Sequence, residues 1–151
     1  LEFINFKTGE RRHLVTETDP AWVNVTDDLD FLPSGKQFLW SSDRDGFTHI
    51  YRFGMDGSLV NKVTAGDWSV GSSGGVAFWV HKAIVGIDPQ NDWIYFTALK
   101  DSSIERHLYR VKSDGTLLSR ISSGSGVHGI SMSPNAQYYS TYFPMRTRCP
   151  L

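Results

Sequence analysis

The chain has 151 residues, 40% of them hydrophobic, and a formal charge of -1. That supplies apolar material for a sizeable core, while the near-neutral balance without a basic cluster excludes a nucleic-acid-binding surface. A single cysteine, Cys149, excludes an intrachain disulfide, and five scattered histidines show no metal-ligand spacing, so no metal or cofactor is expected.

No apolar run reaches the ~18 residues of a membrane span. Five Trp, six Tyr and nine Phe favour strands over helices. In chain order, strands are expected near 2–6, 11–16, 37–42, 47–54, 58–64, 76–87, 93–98, 106–112, 116–121, 128–132 and 137–142. Nothing holds a helical period for three turns. The opening Leu1-Glu2-Phe3 has neither an initiator Met nor a signal peptide, which reads as a fragment of a longer protein.

Turns punctuate these strands regularly. A proline turn precedes an aromatic-rich strand in 31–40 (FLPSGKQFLW), 87–96 (IDPQNDWIYF) and 132–141 (MSPNAQYYST). Asp56-Gly57 and Asp114-Gly115 sit between apolar runs, the signature of a tight hairpin. Residues 71–80 (GSSGGVAFWV) fit neither pattern and read as an inserted loop or a remodelled strand.

The chain repeats itself. Residues 49–66 (HIYRFGMDGSLVNKVTAG) and 107–124 (HLYRVKSDGTLLSRISSG) share seven of eighteen positions without a gap, and six more are conservative. A weaker copy, Gly9–Thr16, aligns with Gly57–Thr64. Strand-rich units of about 40–50 residues are the blades of a β-propeller, whereas an immunoglobulin-type sandwich has no reason to repeat at this period. The expected fold is therefore all-β, a β-propeller fragment of about three blade-equivalents of four-stranded antiparallel sheets. The units fall near 1–30, 31–86 and 87–131, with the next starting at 132–142 and a tail at 143–151. Trp40, His49, Tyr51, Asp56, Gly57, Trp68, His107, Tyr109, Asp114 and Gly115 carry the structural repeat.

At residues 39–70 the text (LWSSDRDGFTHIYRFGMDGSLVNKVTAGDWSV) resembles the propellers of the dipeptidyl peptidase IV family, of the prolyl oligopeptidase type. Residues 84–115 resemble that family's next blade, and 126–142 the blade opener after it. The likeness covers roughly 10–142. It implies a propeller that caps an α/β-hydrolase domain and restricts access to peptides, with the catalytic Ser, Asp and His C-terminal to it. It also implies a periplasmic or extracellular setting, and as partners the rest of the propeller, the hydrolase domain and a peptide substrate. The family's paired glutamates have no equivalent here, and residues 71–80 and 143–151 depart from the pattern.

By the same resemblance Trp22–Asp28 (WVNVTDD) lies on the face turned towards the peptidase cavity. Asn24, Thr26, Asp27 and Asp28 are the candidate substrate-facing groups, set against the plainer reading of a polar inter-blade loop. Asn24-Val25-Thr26 is also a glycosylation sequon in a secretory context. Gly71-Ser72-Ser73-Gly74-Gly75 satisfies G-x-S-x-G, but a strand pattern follows where a nucleophile elbow needs a helix, so no catalytic residue is assigned. Asp43-Arg44-Asp45-Gly46 lacks the ligands of a calcium loop and reads as a turn. His49 and His107, recurring once per blade, read as structural rather than catalytic.

Three functions compete: a non-catalytic propeller segment of a serine dipeptidyl peptidase, a free-standing propeller module that binds a protein or peptide, and a hydrolase using Ser73. About three blades cannot close a ring that needs four or more, so a chain folding alone is expected to complete the ring as a homo-oligomer.

Overall fold

The computed structural model describes residues 1–18, 20, 23, 28–71 and 82–142, and every regular element among them is a β-strand. In chain order these are β1 (Glu2–Ile4), β2 (Arg11–His13), β3 (Leu29–Phe31), β4 (Gln37–Ser42), β5 (His49–Gly54) and β6 (Leu59–Lys62). They continue with β7 (Ile84–Asp88), β8 (Trp93–Ser102), β9 (Glu105–Lys112), β10 (Ser119–Arg120), β11 (Gly129–Met132) and β12 (Tyr139–Tyr142). Two complete four-stranded sheets, β3-β4-β5-β6 and β7-β8-β9-β10, are flanked by the hairpins β1-β2 and β11-β12. All pairings within the sheets are antiparallel.

The main chain shows which strands correspond. After β6, Val63 and Thr64 both donate to Ile50 O; after β10, Ile121 and Ser122 both donate to Leu108 O. After β2, Leu14 and Val15 donate to Leu1 O in the same way. The hairpin β1-β2 is thus the third and fourth strand of a blade, and β11-β12 the first and second of another.

Two details of the repeat differ from the sequence reading. Leu14, not Val15, occupies the place of Val63. A bulge in β6, where Phe53 faces Leu59 but Arg52 faces Asn61, adds a residue that β2 lacks. In addition, the proline turns do not open the sheets. Pro33, Pro89 and Pro134 each lie between the first and second strand, so β3, β7 and β11 precede the turns and belong with the strands after them. The three-residue strand β3 was too short to register as a strand pattern. The turns themselves share a plan, with Gly35, Asp92 and Ala136 in the left-handed region as the chain enters the second strand.

Both faces of the central strands β4, β5, β8 and β9 are largely buried, which explains the apolar residues at consecutive positions there. In β4, Phe38 packs with Leu14, Tyr51 and Phe53 against the first hairpin. Its neighbour Leu39 points the other way, into a cluster with Ile50, Trp68, Ile84, Ile94, Phe96, Tyr109 and Val111. Phe96 is fully buried at the centre of that cluster, with ring centroids 6.3 Å from Trp68 and 5.8 Å from Tyr109, both stacked.

Each Asp-Gly hairpin leans on the blade before it. Gly57 (φ 85°) is so close that a Cβ there would sit 2.5 Å from Leu14 O; at Gly115 (φ 90°) it would sit 3.1 Å from Val63 O. Gly46 has a similar φ of 91° but open space around it. Gly57→Ala is therefore expected to cost the left-handed strain of about 1–2 kcal/mol plus a clash with fixed backbone. Gly46→Ala should cost the strain alone. Urea denaturation of the two variants reads the difference; equal losses would refute the close inter-blade approach.

Candidate functional site

Two clusters of polar side chains lie where one blade meets the next. Asp28 precedes β3 and is buried. Its carboxylate accepts from Ser41 Oγ of β4 at 3.0 Å and from the Ala83 amide, which contacts both oxygens at 2.9 Å, just before β7. Burial pushes its pKa up from the usual 3.8, and the hydrogen bonds from Ala83 and Ser41 only partly offset that. Beside it, Lys82 Nζ lies 2.6 Å from Asp30 Oδ1. The start of one sheet is thus fastened to the start of the next by two carboxylates two residues apart.

This bears on the substrate-facing expectation. Of its four residues, Asn24, Thr26 and Asp27 lie outside the described residues, as does the sequon that includes Asn24. Asp28 is described, and its oxygens are directed into the seam between sheets. Its partner on the far side, the Ala83 amide, is 55 residues away, so no local pattern in the sequence points to it. The G-x-S-x-G serines and the tail 143–151 also lie outside the described residues.

Glu17, which drew no attention in the sequence, collects Trp40 Nε1 at 3.0 Å, Ser42 Oγ at 3.0 Å and Arg44 Nη2 at 2.7 Å. Arg44 lies in the turn closed by Gly46 N donating to Asp43 O at 2.8 Å, and its guanidinium covers the Tyr51 ring at 4.9 Å. The connection between the first hairpin and β3 is pinned to the second blade through one carboxylate.

The repeat residues form matching networks. His49 places Nδ1 3.1 Å from Thr64 Oγ1 and Nε2 3.0 Å from Gly66 O, while Ile50 N donates to Thr64 Oγ1. In the next blade His107 Nδ1 is 3.2 Å from Ser122 Oγ, and Leu108 N donates to that oxygen. Burial lowers the His49 pKa, favouring the neutral ring. Its edge meets the Trp68 ring at 5.2 Å. Asp56 accepts from Ser58 N and Oγ, and Asp114 from Thr116 N and Oγ1, which closes the two hairpins identically.

Tyr51 donates to Asp45 at 2.7 Å, and Lys62 pairs with the same oxygen at 2.9 Å. The Lys62 and Tyr51 bonds hold the Asp45 carboxyl below its ordinary range. In the next blade Tyr109 lies beside Asp101, its hydroxyl outside strict hydrogen-bond geometry, while Arg120 pairs with Asp101 at 3.1 Å. The aligned Lys62 and Arg120 were the sequence signal for this network. The acids were missed because one lies six residues before its Tyr and the other eight.

Among the described residues, no group of three or more His, Cys, Asp or Glu is placed to hold a metal ion. Repeated four-stranded antiparallel sheets, stacked face to face with one polar network per blade, define a β-propeller segment. A family model described as the dipeptidyl peptidase IV N-terminal region matches residues 1–145, and the chain belongs to that family.

Curated relatives include the probable dipeptidyl-aminopeptidase B of Coccidioides posadasii, 31% identical over 130 residues. That of Botryotinia fuckeliana is 31% identical over 134 residues. These alignments take in 80% and 82% of the chain but only 13% and 14% of the relatives, so the chain spans about one seventh of their length. The crystal structure of Porphyromonas gingivalis dipeptidyl peptidase 4 superposes with a TM-score of 0.76 at 22% identity. It covers 93% of this chain and 18% of that one.

Proposed function

We propose that these residues are a non-catalytic propeller segment of a serine dipeptidyl peptidase, which gates and positions peptides for an α/β-hydrolase domain outside residues 1–151. The family match over 1–145 carries the reading. Its physical basis is that a stack of blades, each braced by its repeat network and fastened to the next by Asp28 and Glu17, is stiff enough to hold an access path of fixed width. The hydrogen bonds of Asp28 and Glu17 join neighbouring blades and those of the repeat residues brace each blade internally, which suits a scaffold. Asn24, Thr26 and Asp27 face the substrate in this reading. Its partners are the remaining blades, the hydrolase domain and a peptide.

The test joins two measurements. The 151-residue chain alone gives no turnover of Ala-Pro or Gly-Pro chromogenic dipeptides. In the protein that carries the hydrolase domain, Asn24→Ala and Asp27→Ala raise KM for longer peptides and leave kcat on dipeptides unchanged, the pattern of lost uniform binding. Turnover by the isolated chain, or unaltered KM for every peptide length, would overturn the proposal. Encoding DNA that continues past codon 151 without a hydrolase domain would point instead to a free-standing binding module.

A further inference from the structure

Arg106, the second residue of β9, occupies the place that Thr48, just before β5, holds in the preceding blade. The main chain treats the two alike: Val70 N donates to Thr48 O at 2.9 Å, and His128 N donates to Arg106 O at 2.9 Å. Blade stacking at this place is thus satisfied by a threonine, and the guanidinium is an addition that stacking does not require. Arg106 is only 9% exposed. Its side chain makes a single long hydrogen bond, Nε to His128 O at 3.4 Å, and it enters no ion pair among the described residues.

The side chain borders a cavity of about 340 Å3 between the β7-β8-β9-β10 sheet and the β11-β12 hairpin, lined also by Lys82, Ile84, Thr97, Ile130 and Ser131. Lys82 is already matched by Asp30. The wall, which His128 also lines, therefore carries one uncompensated positive charge, an imidazole that burial keeps towards its neutral form, two hydroxyls and apolar surface. A guanidinium withdrawn from water without a counter-ion is costly, and burial lowers the Arg106 pKa accordingly.

We infer that this cavity binds a carboxylate, paired in fork geometry with Arg106 and bonded by Thr97 or Ser131. A carboxylate is favoured over a phosphate because one unmatched positive charge balances one negative charge, not two. The guanidinium fork also fits the two carboxylate oxygens. The inference does not rest on the peptidase reading, since it uses only the cavity and its charge.

The probes are acetyl-aspartyl amide, which offers a side-chain carboxylate, acetylglycine, which offers a terminal one, and inorganic phosphate, each titrated into the full chain during thermal unfolding. At about ten times its Kd, a specific carboxylate raises Tm by about 3–5 °C. Whichever carboxylate gives the larger rise identifies the source. Arg106→Gln abolishes the rise. Should that variant fail to fold, Ser131→Asp provides the second test: it installs the anion, raises Tm without added ligand and removes the response to acetyl-aspartyl amide. The inference falls if no carboxylate shifts Tm, if phosphate or sodium chloride shifts it equally, if a folded Arg106→Gln keeps the response, or if Ser131→Asp neither raises Tm nor removes the response.

Discussion

Replacing Phe96 by alanine is expected to lower stability by about 3–5 kcal/mol, the range for emptying a fully buried aromatic site. The ring is inaccessible to solvent and lies between Trp68, in the connection after β6, and Tyr109 of β9. One substitution thus removes the contact between two blades as well as the filling of one. Phe96→Leu keeps most of the volume and should lose much less. The measurement is the midpoint and slope of a urea transition with tryptophan fluorescence, to which Trp68 itself reports. A loss below about 1 kcal/mol for Phe96→Ala would mean that the two sheets do not share this core.

Asp28→Ala should cost about 2–4 kcal/mol, because it strands the buried Ala83 amide and the Ser41 hydroxyl without an acceptor. Its pH dependence gives a second check. The folded protein holds the Asp28 proton more tightly than the unfolded chain does, since burial raises the pKa above 3.8. That contribution is present below the unfolded value and is lost as pH rises through the folded one. The stability margin of the parent protein over Asp28→Ala should therefore narrow as pH climbs from about 4 and then level off. A margin that widens over this interval would contradict the buried, desolvated carboxylate.

The architecture was legible because it is written repeatedly. The Asp-Gly hairpins and the recurring His and Tyr positions needed only the sequence, since each reports a local demand: a left-handed glycine, a buried ring with a hydroxyl partner. Sheet boundaries were not legible. A proline turn looks the same between two strands of one sheet as between two sheets, and only the pairing of β3 with β4 decides the matter. The clamps were harder still. Glu17 reaches Arg44 across 27 residues and Asp28 reaches Ala83 across 55, so neither leaves a spacing to read. The candidate substrate residues came from family resemblance, and the one described, Asp28, serves a seam whose far side is distant in sequence.

The way Gly57 and Gly115 rest on the carbonyl of the preceding unit has a geometric corollary. The tip of one unit meets the tail of another, never a second tip, so the contact is heterologous and has a sense of rotation. Units joined in this fashion cannot pair off about a two-fold axis through that contact. They add in one direction, turning the same way at each step.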